Sequence, residues 1–156
     1  MDELYDHDFV LWTEEQAAAL RHADAARTNL PLDWENLAEE IESLGKSQRA
    51  ALRSQLRRIL RHLFKLAASP AGAPRRGWET SIRDARVEIE DILQDSPSLR
   101  RDLERFVVAQ TPVAAELAAA DLREHAESTD AVEARLQAGG FTTDQVMGDW
   151  FPDAPD

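Results

Sequence analysis

The chain has 156 residues, with 18 basic against 30 acidic side chains for a formal net charge of −12, and no cysteine. That length suits a single domain, and near ~150 residues a domain buries roughly 68–70% of its unfolded surface with no disulfide or metal to hold it. The missing cysteines exclude disulfides, thiolate zinc, iron–sulfur clusters and a catalytic thiol, while the acidic balance disfavours nucleic acid and anionic membranes as partners.

The N-terminus, MDELYDHDFVLW, opens with acids instead of the basic stretch and apolar core of a leader. No apolar run approaches the ~20 residues of a membrane span, so the expected location is the cytoplasm. Ala, Leu, Glu, Arg and Gln dominate, alternating strand patterns are missing, and the fold class is all-α. Residues 1–12 read as an arm whose Tyr5, Phe9 and Trp12, three or four apart, dock on the bundle or on a partner. Asp6, His7 and Asp8 lie between them. Thr13-x-x-Gln16 has capping-box spacing and starts a first helix that runs to about Arg27, before Asn29-Leu-Pro31.

Asp33 is the N-cap of a second helix reaching Ala68. Gly45 is the obvious break, yet Leu37, Ile41 and Leu44 share a face with Leu52, Leu56, Ile59, Leu63 and Leu66. The phase survives the glycine, and a mid-helix glycine costs only about 1 kcal/mol. One helix over about 33–68, on the order of 50 Å long at 1.5 Å per residue, is therefore expected.

Residues 69–77 (SPAGAPRRG) form a loop, and a third helix runs from about Trp78 to Gln94 with Ile82, Ala85, Ile89 and Leu93 on one face. Ser96-Pro97 marks the next start, and Pro112 is expected to kink or break that fourth helix. Asp130–Ala138 is a short helix closed by Gly139-Gly140. Thr142-x-x-Gln145 opens a last turn, and residues 149–156 are a tail docked through Trp150 and Phe151. The whole reads as one domain, a helical bundle around the long helix with antiparallel neighbours and short C-terminal helices.

YDHDFVLW at 5–12, LDWENLAEEIESLGKSQRAALRSQLRRILRHLFKL at 32–66, and GWETSIRDARVEIEDIL with DSPSL over 77–99 together resemble a bacterial family, domain of unknown function twenty-nine. The likeness covers about residues 4–105 well and the C-terminal third mainly through its Trp-Phe-Pro ending. It implies an all-helical fold and brings no activity, cofactor or partner with it.

Several constellations invite chemistry. Asp33, Glu35, Glu39 and Glu42, with Glu40, are carboxylates of the kind that hold a hard divalent cation, but acids in a helix's first turns also favour its positive end. None of the four histidines follows a Glu by three residues, as a di-iron bundle requires. Arg49, Arg53, Arg57, Arg61 and Lys65 recur every four residues in a stripe suited to nucleic-acid phosphates, as in an antitoxin-like regulator, or to the acidic layer of residues 116–156. His62 and Lys65, one turn apart with Trp78 across the loop, make His62 a candidate general base, and with Glu39 and Glu40 a candidate hydrolase. His125 follows Asp121 by four residues without a third ligand.

Glycine-rich phosphate loops, Gly-x-Ser-x-Gly and HExxH are all missing. The favoured reading is a non-enzymatic interaction module, without cofactor, that binds a protein partner or a second copy of itself.

Overall fold

The computed structural model describes residues 3–26 and 29–156. They form α1 (Glu3–His7), α2 (Phe9–Ala25), α3 (Trp34–Ala68), α4 (Arg75–Asp95), a 3-10 stretch (Pro97–Asp102), α5 (Leu103–Glu124), α6 (Asp130–Gln137) and α7 (Thr143–Met147), with no strand among the described residues. The all-α class and the single long helix agree with the sequence pattern. No helix among these residues is long and apolar enough to cross a membrane. Contacts gather the chain into two compact units, one of residues up to Leu52 with Asp91–Arg101, the other of Arg53–Glu90 with Asp102–Asp156. α3 and α4 contribute to both.

In the first unit the stretch read from the sequence as a docking arm is helical from Glu3 to His7 and again from Phe9. Asp8, with extended backbone, separates α1 from α2 and caps α2 by accepting the Leu11 amide at 2.9 Å. The same carboxylate accepts the Ser98 amide at 2.7 Å and the Ser98 hydroxyl at 2.9 Å, while Val10 donates its amide to the Ser96 hydroxyl at 3.1 Å. Thr13, the expected cap, lies inside α2, where its hydroxyl donates to the Val10 carbonyl at 2.7 Å. Tyr5 of α1 meets Phe9 and Trp12 of α2 across the break at Asp8, with ring centroids 4.9–6.1 Å apart. The expected helix end at Arg27 lies outside the described residues.

α2 runs antiparallel to the start of α3. Arg21 donates to Glu42 at 2.7 Å and to Glu35 at 3.4 Å, and Glu14 pairs with Arg49 further on. Asp33 accepts the Asn36 amide at 3.3 Å, as an N-cap should. α3 passes through Gly45 without a break. This glycine serves close approach: a Cβ there would run into the Thr13 hydroxyl.

In the second unit α4 returns antiparallel to α3, with Gln55 donating to Glu88 at 2.7 Å and Lys65 lying over Trp78 at 4.6 Å. α5 runs parallel to α3: Arg53 sits over Phe106, Arg57 reaches Gln110, and Arg61 reaches Asp121. The expectation of antiparallel neighbours therefore holds for α2 and α4, but α5 follows a second reversal and points the same way as α3. α4 starts at Arg75 instead of Trp78, because Arg75 is fixed by the Leu66 carbonyl at 2.9 Å and by the Pro152 carbonyl. Pro112 does not break α5. The buried Ala114, Ala115, Ala118 and Leu122 hold that helix in place against a proline penalty of about 3 kcal/mol.

Gly139 and Gly140 end α6 with φ of 101° and 76°. Thr142 and Gln145 complete both halves of a capping box at 3.1 and 2.9 Å. The C-terminal tail docks through Trp150 against Phe141 and through Phe151 beneath Arg83 and Arg86. Buried Arg86 organises this end. It donates to the carbonyls of Val146, Gln145 and Trp150 at 2.9–3.0 Å.

Two substitutions test these packings by urea denaturation. Gly45→Ala, which would gain about 1 kcal/mol in an open helix, is expected to destabilise by about 1–3 kcal/mol through overpacking; Thr13→Ala added to it should restore most of the loss. Additive losses in the double variant would show that Thr13 is not the obstacle. Arg86→Met should cost about 3 kcal/mol by leaving buried carbonyls unpaired, and Arg86→Lys, unable to reach three acceptors, should recover little.

Candidate functional site

Two regions stand out once the side chains are placed. The first is the start of α3. Leu52, Leu56, Ile59, Leu63 and Leu66 are fully buried, whereas Leu37 and Leu44, on the same stripe, remain 39% and 50% exposed. Ile41 between them is half-buried. Leu30 and Leu32, just before the helix, are also exposed. Ala38 and Gly45 are buried at this end too, so Leu37 and Leu44 form an exposed apolar edge beside the part of the stripe that α2 covers.

The second region lies in the unit formed by Arg53–Glu90 and Asp102–Asp156. A groove of about 600 Å³ is lined by Ser54, Arg57, Arg58, Arg61, His62, Lys65, Ser81, Leu117, Asp121 and His125. Four cations thus face one carboxylate. Asp121 receives two bonds from Arg61, at 2.8 and 2.5 Å, and lies 3.2 Å from the Lys65 ammonium. The bond from Arg61, before that from Lys65, holds the Asp121 carboxyl below its ordinary range, and the same contact raises Arg61. Arg57 is bonded to Gln110 at 3.2 Å and Arg58 to Ser81 at 3.2 Å; neither has a carboxylate partner among the described residues.

His62 is half-buried on this wall, and its Nδ1 has no hydrogen-bond partner. Burial pushes it down to about 4, with Lys65, Arg61 and Arg58 adding to the effect and Asp121 opposing it. His125 uses Nδ1 on the Asp121 backbone carbonyl at 2.9 Å, so Asp121 and His125 do not present two free ligands. Beside the groove is a more enclosed recess of about 410 Å³, lined by Ala71, Ala73, Pro74, Trp78, Leu122 and Glu127 together with Lys65, Asp121 and His125. The Glu127 carboxylate there accepts the Ser69 hydroxyl at 2.9 Å.

The carboxylate candidates belong to the first unit. Glu35 and Glu42 turn onto Arg21, Asp33 caps α3, and Glu39 and Glu40 are exposed. Among the described residues no three His, Asp or Glu side chains gather as a metal ion would require. Unbroken α3 also separates Glu40 from His62 by roughly six turns, so the hydrolase grouping does not assemble. Of the Arg stripe, Arg49 is paired with Glu14 and Arg53 lies over Phe106 at 5.6 Å. The sequence pattern did not single out Arg58, Ser54 or Ser81. Arg58 lies one residue off the every-fourth spacing, and its link to Ser81 is a contact between helices that no local spacing reveals.

The sequence profile of the family described as Domain of unknown function DUF29 matches residues 4–150, and the chain belongs to that family. Among solved structures the chain is similar to an alpha-helical protein of unknown function from Rhodospirillum rubrum. The two share 25% identity and a TM-score of 0.75, over 93% of this chain and 89% of that one. No curated protein matches the sequence.

A neutral His62 has a thermodynamic signature. Its folded pKa lies below the ordinary 6.5, so its contribution is complete above about pH 6.5 and is lost as pH falls towards about 4, where the folded state still refuses a proton that the unfolded chain accepts. The loss should be on the order of 2 kcal/mol. His62→Gln should flatten the fall in stability between pH 7.5 and 4.5, measured by denaturant titration. Equal falls in both proteins would mean that His62 is not held neutral.

Proposed function

We propose that this DUF29 member is a non-enzymatic helical interaction module that docks a partner protein on the start of α3. The observation that carries the reading is the open Leu37–Ile41–Leu44 face on a helix that buries the same stripe completely from Leu52 onwards. The chemistry of the partner follows from the flank. Glu40 lies three residues after Leu37 and four before Leu44, beside both on the helix, and it is exposed. An amphipathic helix with apolar anchors and basic side chains beside them complements that face. A second copy of the chain would bring Glu40 against Glu40 in a symmetric pairing, which disfavours self-association.

Binding is favoured over catalysis by the state of His62. A general base needs a pKa near the working pH and a group that orients its ring, whereas this imidazole is pushed to about 4 and its Nδ1 is unpartnered. The nucleic-acid reading is weakened by the pairing of Arg49, Arg61 and Lys65 with acids of the chain itself. We place the protein in the cytoplasm on the absence of cysteine.

The test uses two synthetic helical peptides with the same leucine stripe, one flanked by lysines and one by glutamates, titrated by fluorescence anisotropy. The lysine peptide should bind and the glutamate peptide should not, and Leu37→Glu with Leu44→Glu should abolish binding at unchanged melting temperature. Equal binding of both peptides, or binding that survives the double substitution, would overturn the reading. Light scattering should show a monomer; a dimer dissolved by the same substitutions would assign the face to a second copy instead.

A further inference from the structure

The basic groove and the recess beside Trp78 meet at Lys65, Asp121 and His125, which line both. We propose that the two together bind one small amphipathic anion, its apolar body in the recess and its oxyanion head in the groove. Nothing in this reading depends on the docking face of α3.

The division of labour follows from the linings. The recess offers Trp78, Pro74, Ala71, Ala73 and Leu122, an apolar and relatively enclosed space of about 410 Å³, within the size range of ordinary ligand sites. Of its two carboxylates, Asp121 lines groove and recess alike and is held by Arg61 and Lys65, while Glu127, engaged by Ser69, lies on the recess side alone and opposes an anionic head there. The groove has the opposite character. Once Asp121 has neutralised part of the charge of Arg61 and Lys65, Arg57 and Arg58 remain without a carboxylate, next to the hydroxyls of Ser54 and Ser81. Guanidinium groups and hydroxyls are donors suited to phosphate or carboxylate oxygens. In a chain of net charge −12, this local surplus of cations runs against the overall sign, which marks the groove as the place where an anion is held.

A phosphate head borne by a free small molecule and one borne by a membrane lipid share this chemistry. The enclosed recess and the acidic surface of the protein favour the free molecule.

Octyl phosphate below its micelle concentration is the probe, compared by isothermal titration calorimetry with inorganic phosphate and with octanol. Octyl phosphate should bind one to one, at least about tenfold more tightly than either half alone. Arg57→Ala with Arg58→Ala should weaken octyl phosphate by about tenfold or more and leave octanol unaffected. Ala73→Leu, which narrows the recess from an exposed loop position, should weaken octyl phosphate and octanol but not inorganic phosphate. Thermal melts check that each variant is folded.

Octyl phosphate binding no tighter than inorganic phosphate, or insensitive to Ala73→Leu, would remove the recess from the site. Insensitivity to the arginine pair would remove the groove, and either result overturns the proposal. Sedimentation with phosphatidylglycerol vesicles without binding of monomeric octyl phosphate would overturn it in favour of a lipid surface. Leu37→Glu with Leu44→Glu should leave octyl phosphate binding unchanged, so failure here and failure of the docking reading are separable.

Discussion

The apolar stripe of α3 sets the terms for the helices packed around it. From Leu52 to Leu66 its side chains are fully buried, each contributing about 1.5–3 kcal/mol against conformational entropy of similar total size. Such a stripe works only if the helix stays in phase, and Gly45 is where that continuity meets a steric constraint. The residue must be small because Thr13 of α2 comes against the α3 backbone there, yet it must also remain helical. The glycine that looks like a hinge in the sequence is in fact a contact point, and its cost in helix propensity is offset by the close approach of α2.

Charge is organised by the same helix. The basic residues of α3 do not form one functional stripe. Arg49 is paired by Glu14, Arg53 lies against an aromatic ring, Arg57 finds a neutral amide, and Arg61 and Lys65 converge on Asp121. Of the ten acids in residues 116–156, it is Asp121 that receives the ion pairs to this stretch, so the expected acidic layer reduces to one well-placed carboxylate. What distinguishes Arg57 and Arg58 is that, among the described residues, no carboxylate pairs with them.

Local signals were readable in the sequence, and contacts across helices were not. The Thr142–Gln145 capping box and the Gly139-Gly140 stop were legible because their bonds close within a few residues. So was the phase of α3. The identical-looking signal at Thr13 misleads, because Asp8 caps α2 instead and is fixed there by Ser98, 90 residues away. At Pro112 a break does not occur: the local penalty is real, but the buried face of α5 outweighs it. Arg86 carried no local signal at all. Its position on α4 reads as one more charged residue until α7 and the tail bring three carbonyls to it. The candidate site was half legible, since His62, Lys65 and Trp78 follow from spacing across one loop, whereas Ser81 and Asp121 enter through helix pairing.

Both the open face of α3 and the basic groove depart from what stability alone would select. A folded chain gains nothing from leucines held in water on α3, and it loses by burying an imidazole beside Lys65, Arg61 and Arg58, which further disfavour its charged form. Polar substitutions at Leu37 and Leu44, or an acid opposite Arg58, would remove each liability without touching the core. Departures of this kind concentrate at functional sites, because the missing partner is supplied from outside the chain. The two departures also differ in what would satisfy them. An open helical face needs a surface of matching length, while a groove beside a more enclosed apolar recess needs a small body with a charged end. That difference is why we propose a macromolecular partner for the first and a small ligand for the second.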